Sequence, residues 1–440
     1  MSKQVWCRQS APTLSATAST INIAGGTANS TVADALNNSP CPAAGVLSNL
    51  TIALDAAPAS GTTKIFTLRV NNVDSAMAVT IDDAHTSATY SGAGISVSAG
   101  DLLCISYTKT GTPGSSSLAS VSWVFTGSNG VSIYMGTGLG VSTTTPAWTG
   151  PFVPGAITTT AANLAQNVVA APGTITGYYA TMGPALGSTG SYKSTIYLNG
   201  VAQDGTSGTP DTRVTLVCAA NTRVNGNTSF TLPVVAGDLV YIQIDSLSSP
   251  SSKTLAYGIA FTATNAGDSN MCWGLATVPN GNGSSTNFNG PQNIFTASWS
   301  TEPNRLATVA DKFKLSGMQI VLTAAPGGGA SRTFVNRKNS NTGSMSVALS
   351  ASASGSDTSA AHADSYSPLD TICFFESAVS GSPAAATGTV GFIQTVVGGN
   401  PPGKAQTGNK KGGGGATNQF NPGGTIVQTV GNAGVSSVGL

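Results

Sequence analysis

The chain of 440 residues is long enough for several ordinary domains, and it is 40% hydrophobic and 8% charged, where an average globular protein carries about 25% charged residues. Lys and Arg number 18 and Asp and Glu 17, for a net charge of +1, which provides no long-range field to gather a polyanion or an anionic membrane. Nucleic acid and membrane insertion are therefore not expected, no apolar run approaches the ~18 to 20 residues of a membrane helix, and the residues after Lys3 do not read as a secretory signal, so cytoplasmic synthesis is expected.

The chain opens on "QVWCRQSAPTL", from Gln4, and this segment is matched in character by "SIYMGTGLGVS", from Ser132, and "NMCWGLATVPN", from Asn270. Each is expected to supply the first strand of a block. The first block continues "GVLSNLTIALDAAPASGTTKIFTLRVNN", then "VSAGDLLCISYTK" and "ASVSWVF". The second continues "GTITGYYATMGPALGSTGSYKSTIYLNG", then "VVAGDLVYIQIDS" and "LAYGIAF"; the third "FKLSGMQIVLTAAPGGGASRTFVNRKN", then "SPLDTICFFES" and "TVGFIQT". Each reads as strand, Pro/Gly turn, strand, variable middle, Asp turn, strand, loop, strand. Short Val/Ile/Leu/Phe runs between Gly, Pro, Asn and Ser clusters, with no sustained helical period, argue for antiparallel β-sandwiches. Single helical turns are admitted only at "TVADALNNS", 31–39, and "TAANLAQNVVA", 160–170.

The recurrent Asp101, Asp238 and Asp370 open a strand. In the first two, the Gly before the Asp takes positive φ without steric cost, and the Asp is expected to bond its own downstream backbone. Beyond the Asp, Leu103 and Ile105, Val240 and Ile242, and Ile372 and Phe374 follow a period of two and mark the buried face. Phe125, Phe261 and Phe392 close the blocks, and Trp123 alternates with core positions. The resulting organisation is all-β: three tandem antiparallel, jelly-roll-like β-sandwich domains over 1–130, 131–264 and 265–395. A Gly-rich tail or assembly arm, 396–440, is too poor in strand pattern to fold alone and is expected to be flexible.

The six cysteines lie far apart in sequence, without a C-x-x-C pair, and read as buried free thiols. The sequons at Asn29, Asn49, Asn227 and Asn282 are expected by chance in so Asn/Ser/Thr-rich a chain. The two histidines, His85 beside Asp82 and Asp83 and His362 between Asp357 and Asp364, could form a hydrogen-bonded or metal-binding cluster, but solvated loop residues are the favoured reading. No nucleophile elbow or phosphate loop occurs, and the repeated Asp residues are explained by their turns, so no catalytic, cofactor or metal residue is assigned. Trp148 in "TPAWTGPF" and Trp299 in "TASWSTEP" are the candidate interface or glycan contacts, with packing between neighbours favoured over a stacked sugar.

The pattern "G-x-[LI]-[ST]-[NG]-L…APxxG…TLRVN…AGDLL…WVF", over 45–395, resembles the jelly-roll or TNF-like sandwich repeats of tailed-bacteriophage virion proteins: head fibres, capsid decorations and tail-associated proteins. The resemblance implies a non-enzymatic, homo-oligomeric, often trimeric virion component without cofactors, made in a host cytoplasm. Its implied partners are itself, other virion proteins and a host surface glycan or protein. The chain lacks a coiled-coil stalk and a triple-β-helix repeat, which favours a compact decoration or adaptor over a long fibre. Two alternatives stand beside it: a bacterial surface adhesin or carbohydrate-binding protein, and a polysaccharide-degrading enzyme.

Overall fold

The computed structural model describes residues 2–9, 14, 19–23, 38–114, 116–141, 145–152, 166–182, 190–206, 208–217, 224–247, 253–278, 287–289, 302, 306–327, 329–377, 386–397, 418–420 and 426–428. The chain falls into a compact body, Met1–Gly403, and a second unit, Lys404–Leu440. In the second unit Asn418–Phe420 pairs antiparallel with Ile426–Gln428.

The body is built of six antiparallel sheets in three facing pairs. In the first pair, one sheet runs Ser2–Gln9, Leu118–Gly127, Gly45–Leu54 and Ser87–Thr89. The other runs Ser19–Asn22, Leu102–Thr110, Thr63–Val70 and Val73–Asp82, with Ser39–Pro40 continuing the edge. With Ser39–Pro40 counted as a continuation of the second strand and Ile95–Val97 as a continuation of the sixth, the first, eighth, third and sixth strands face the second, seventh, fourth and fifth. That is a jelly-roll-like order.

The same order recurs twice. Val131–Val141, Lys253–Ala263, Gly173–Met182 and Val224–Asn227 face Ala147–Thr149, Leu239–Leu247, Ser191–Leu198 and Val201–Ala202, with Asn167–Val168 on the edge. Asp268–Val278, Ala386–Thr395, Phe313–Leu322 and Ser354–Asp357 face Asn287–Asn289, Thr371–Ser377, Arg332–Lys338 and Asn341–Leu349, with Ala307–Thr308 on the edge.

Alternation creates these sandwiches. Along Val73–Asp82, Met77, Val79 and Ile81 point into the core while Ala76, Ala78, Thr80 and Asp82 are exposed. The strand-opening hydrophobics Leu103, Ile105, Val240, Ile242, Ile372 and Phe374 are all buried, as are the closing Phe125, Phe261 and Phe392. Each contributes about 1.5–3 kcal/mol by burial, so a slip of one residue, which would turn the whole set to solvent, is excluded. Trp123 is also core: it stacks on Trp6 at 5.2 Å between ring centroids and donates its Nε1–H to the Ile23 carbonyl.

Neither proposed helical turn is found among the described residues. Ser39–Pro40 and Asn167–Val168 are strands, and most of both segments lies outside the described residues.

Candidate functional site

The three sandwiches form a closed ring. The short edge strand of each crosses the first sheet of the next, through equivalent backbone positions. From sandwich one to two, Ser39 Oγ donates to the Gly136 carbonyl at 3.0 Å, and the Pro40 carbonyl lies so close to Gly258 that a Cβ there would meet it at 2.2 Å. From two to three, the Val168 carbonyl faces Gly391, where a Cβ would meet it at 2.5 Å, and Val168 N–H donates to Thr389 Oγ1 at 3.2 Å. From three back to one, Ser122 Oγ donates to the Thr308 carbonyl, and Thr308 N–H donates to Ser120 Oγ at 3.1 Å. The third crossing buries Val5, Cys7 and Val124 of sandwich one with Val309 and Ala310 of sandwich three.

At the centre the first strands of the three sandwiches and the closing strand of the third are joined by side chains at positions that do not correspond. Gln4 Oε1 accepts the Ile133 N–H at 2.8 Å, and the Tyr134 hydroxyl accepts the Asn270 N–H at 2.7 Å. Gln394 clasps Val5 from both sides, accepting its N–H at 2.9 Å and donating to its carbonyl at 2.8 Å. Asn270 Oδ1 also accepts the N–H groups of Ala170 and Ala171, at 2.8 and 2.7 Å. All these polar groups are buried, so each bond replaces water that cannot reach it.

One end of each sandwich carries a second repeated device. The carboxylate of Asp101, Asp238 or Asp370 accepts the N–H three residues upstream, of Ser98, Val235 or Ser367, at 2.7 Å in each case. This corrects the expected downstream bond, because the downstream N–H has another partner: an Asn at the tip of the neighbouring hairpin. Asn71, Asn199 and Asn339 each donate Nδ2–H to the Asp carboxylate and accept the next strand's first N–H, from Leu102, Leu239 or Thr371. The Asp–Asn clamp ties the fourth strand to the seventh. The sequence alone shows its signal only as an Asn 30, 39 or 31 residues ahead of each turn Asp.

The turn residue before the Asp has φ of 89° at Gly100 and 95° at Gly237, but the third clamp holds Leu369 at 71°. That clamp also contains Lys338, 2.9 Å from Asp370. Burial works to raise the Asp370 pKa, but Asn339, the Ser367 N–H and the Lys338 ammonium together hold it below the ordinary carboxylate range.

Trp148 lies on the outer face of the second sandwich, half-buried, and donates Nε1–H to Gln243 Oε1 at 3.0 Å. Trp299 lies outside the described residues. His85 and His362 sit on different sandwiches, and each is bonded through Nδ1 to one carboxylate, Asp82 at 2.5 Å and Asp357 at 2.9 Å. The other acids turn elsewhere: Asp83 accepts from Gly61 N–H, and Asp364 from Asn336 and Ser344. The His85 bond holds Asp82 below its usual range. Among the described residues no group of three or more His, Cys, Asp or Glu is placed to hold a metal ion.

Five cysteines, Cys7, Cys41, Cys104, Cys272 and Cys373, are buried thiols outside any disulfide. Burial pushes the Cys7 and Cys41 thiols up to about 12. Cys218 lies outside the described residues.

No protein-family model matches this sequence, and no curated protein matches it.

Proposed function

We propose that the chain is a non-enzymatic structural protein of a bacteriophage virion, a capsid decoration, head-fibre or tail-associated component made in the host cytoplasm. The observation that carries this reading is the ring: each sandwich holds the next through the same edge strand, and Gln394 joins the last strand to the first. Buried side-chain hydrogen bonds at its centre and clamped sheet ends suit a rigid display body that presents surfaces to other virion proteins and to the host. The family resemblance implies a threefold arrangement between chains, and the three sandwiches of one chain offer a similar repetition that supports a single-chain unit. The proposal therefore takes the single chain as the working unit in place of a homotrimer.

Two measurements test it. Mass spectrometry and antibody labelling of purified particles should find the chain in the virion; its absence from particles would remove the reading. Light scattering after size exclusion should give the mass of one chain, 43.6 kDa, whereas a threefold larger mass would restore the homotrimer. A carbohydrate-binding role is the second reading, favoured by the aromatic and amide side chains around Trp148.

A further inference from the structure

The three sandwiches are copies of one architecture, so a surface that differs among them at equivalent positions is not required by the fold. The outer face of the second, seventh and fourth strands is such a surface. In sandwich two it carries Trp148, Gln243, Tyr241, Asp245, Tyr197 and Lys193, all on the side opposite the core residues Val240, Ile242, Ile244 and Ile196. Trp148 donates to Gln243 Oε1; Gln243 Nε2–H donates to Asp245 Oδ1 at 2.9 Å; Asp245 lies 3.7 Å from Lys193. Beside this chain of contacts Tyr197 stacks on Tyr241, with centroids 4.9 Å apart and planes 18° off parallel.

In sandwich one the matching positions hold Thr20, Ser106, Cys104 and Arg69, with no aromatic ring among them. In sandwich three they hold Phe288, Phe375, Cys373 and Arg337, and the chain itself occupies the space. The Arg337 guanidinium lies 5.6 and 5.2 Å from the two ring centroids and forks onto Glu302 at 2.7 and 3.0 Å. Sandwich two has no such cation among its described residues: Tyr197 stands where Arg337 does, and Trp148, Gln243, Asp245 and Tyr197 remain partly exposed.

We propose that this face of the second sandwich binds a neutral glycan. The apolar C–H face of a pyranose ring packs on a partly exposed aromatic ring, here Trp148. Its hydroxyls, which both donate and accept, match an amide with a spare N–H, Gln243, and a carboxylate with a spare lone pair, Asp245. Asp245 and Lys193 offset one another, so the face favours an uncharged sugar over an anionic one. That the sugar comes from a host surface rests on the virion reading; the binding itself is a property of the isolated chain.

The test is saturation-transfer NMR on the full chain with millimolar glucose, galactose, N-acetylglucosamine and rhamnose, and with neutral oligosaccharides of the same sugars. Transfer to the ring C–H protons of at least one sugar is expected, with affinity weakened at least about tenfold by Trp148→Ala. Tyr197→Ala and Gln243→Leu guard against a folding defect in the Trp148 variant and should each weaken binding, with unfolding curves showing intact protein. Phe288→Ala, on sandwich three, should leave binding unchanged. Absence of transfer from every sugar, or undiminished affinity in folded Trp148→Ala protein, overturns the proposal. Sugar binding by a chain missing from particles would instead defeat the virion reading alone.

Discussion

The clamped sheet ends and the centre of the ring solve the same problem, holding strands together through side chains, in opposite ways. At the ends, Asp and Asn recur three times with nearly the same distances, because every contact lies inside one sandwich and repeats with the block. At the centre, Gln4, Tyr134 and Gln394 do equivalent work from positions that do not correspond, two on first strands and one on a closing strand, because each contact joins strands of different sandwiches. Repetition in sequence therefore follows local geometry, and the associations between blocks are free to diverge.

The largest effect is expected at the centre. Gln394→Ala would leave both the N–H and the carbonyl of Val5 buried without this partner, a loss of about 2–4 kcal/mol, read as a lower urea midpoint and faster amide exchange at Val5. A change under about 0.5 kcal/mol, the range of an ordinary surface substitution, would mean that the clasp does not hold the ring. Gly258→Val should come next. Its Cβ would meet the Pro40 carbonyl, and overpacking of this kind costs about 1–3 kcal/mol; the loss should appear as separation of sandwiches one and two in limited proteolysis, and an intact ring with unaltered stability would contradict the close crossing.

The clamps should respond more weakly. Asp238→Ala removes the acceptor of the Val235 N–H and of Asn199 at an exposed end, for a loss of about 1 kcal/mol. The third clamp adds a pH dependence. The folded pKa of Asp370 is depressed, so its stabilisation is complete above the unfolded value of about 3.9 and is lost as pH falls through the lower folded value. Acid titration of Lys338→Met should show a smaller loss across that window; an identical acid limb would exclude the ion pair as its source.

The smallest effect has the opposite sign. Leu369 occupies with φ of 71° a position that is Gly100 or Gly237 in the other clamps, and its side chain is exposed. Relief of a left-handed non-Gly residue is worth of the order of 1 kcal/mol, reduced by the added freedom of the unfolded chain, so Leu369→Gly should raise the midpoint slightly. A lower midpoint would show that the Leu side chain contributes more than its backbone costs.

The sequence by itself determined the all-β class, the strand-opening turns and the buried faces. Alternation with period two and a Gly-Asp turn act over a few residues, and Leu103, Ile105, Trp123 and Phe125 are core for reasons visible within their own strands. The clamp was half legible: its Asp repeats in the turn, while its Asn sits at a hairpin tip about 30 to 40 residues earlier and reads there as ordinary turn chemistry. Trp148 was legible as a candidate, but its neighbours Gln243, Asp245 and Tyr197 come from strands that only the sheet register brings beside it. The ring was decided by tertiary structure alone. Val5 and Gln394 are 389 residues apart in the chain, and no periodicity or turn links them. Their pairing exists because three folded sandwiches, each with one edge strand to cover and one sheet face to bury, cover one another in a closed circle.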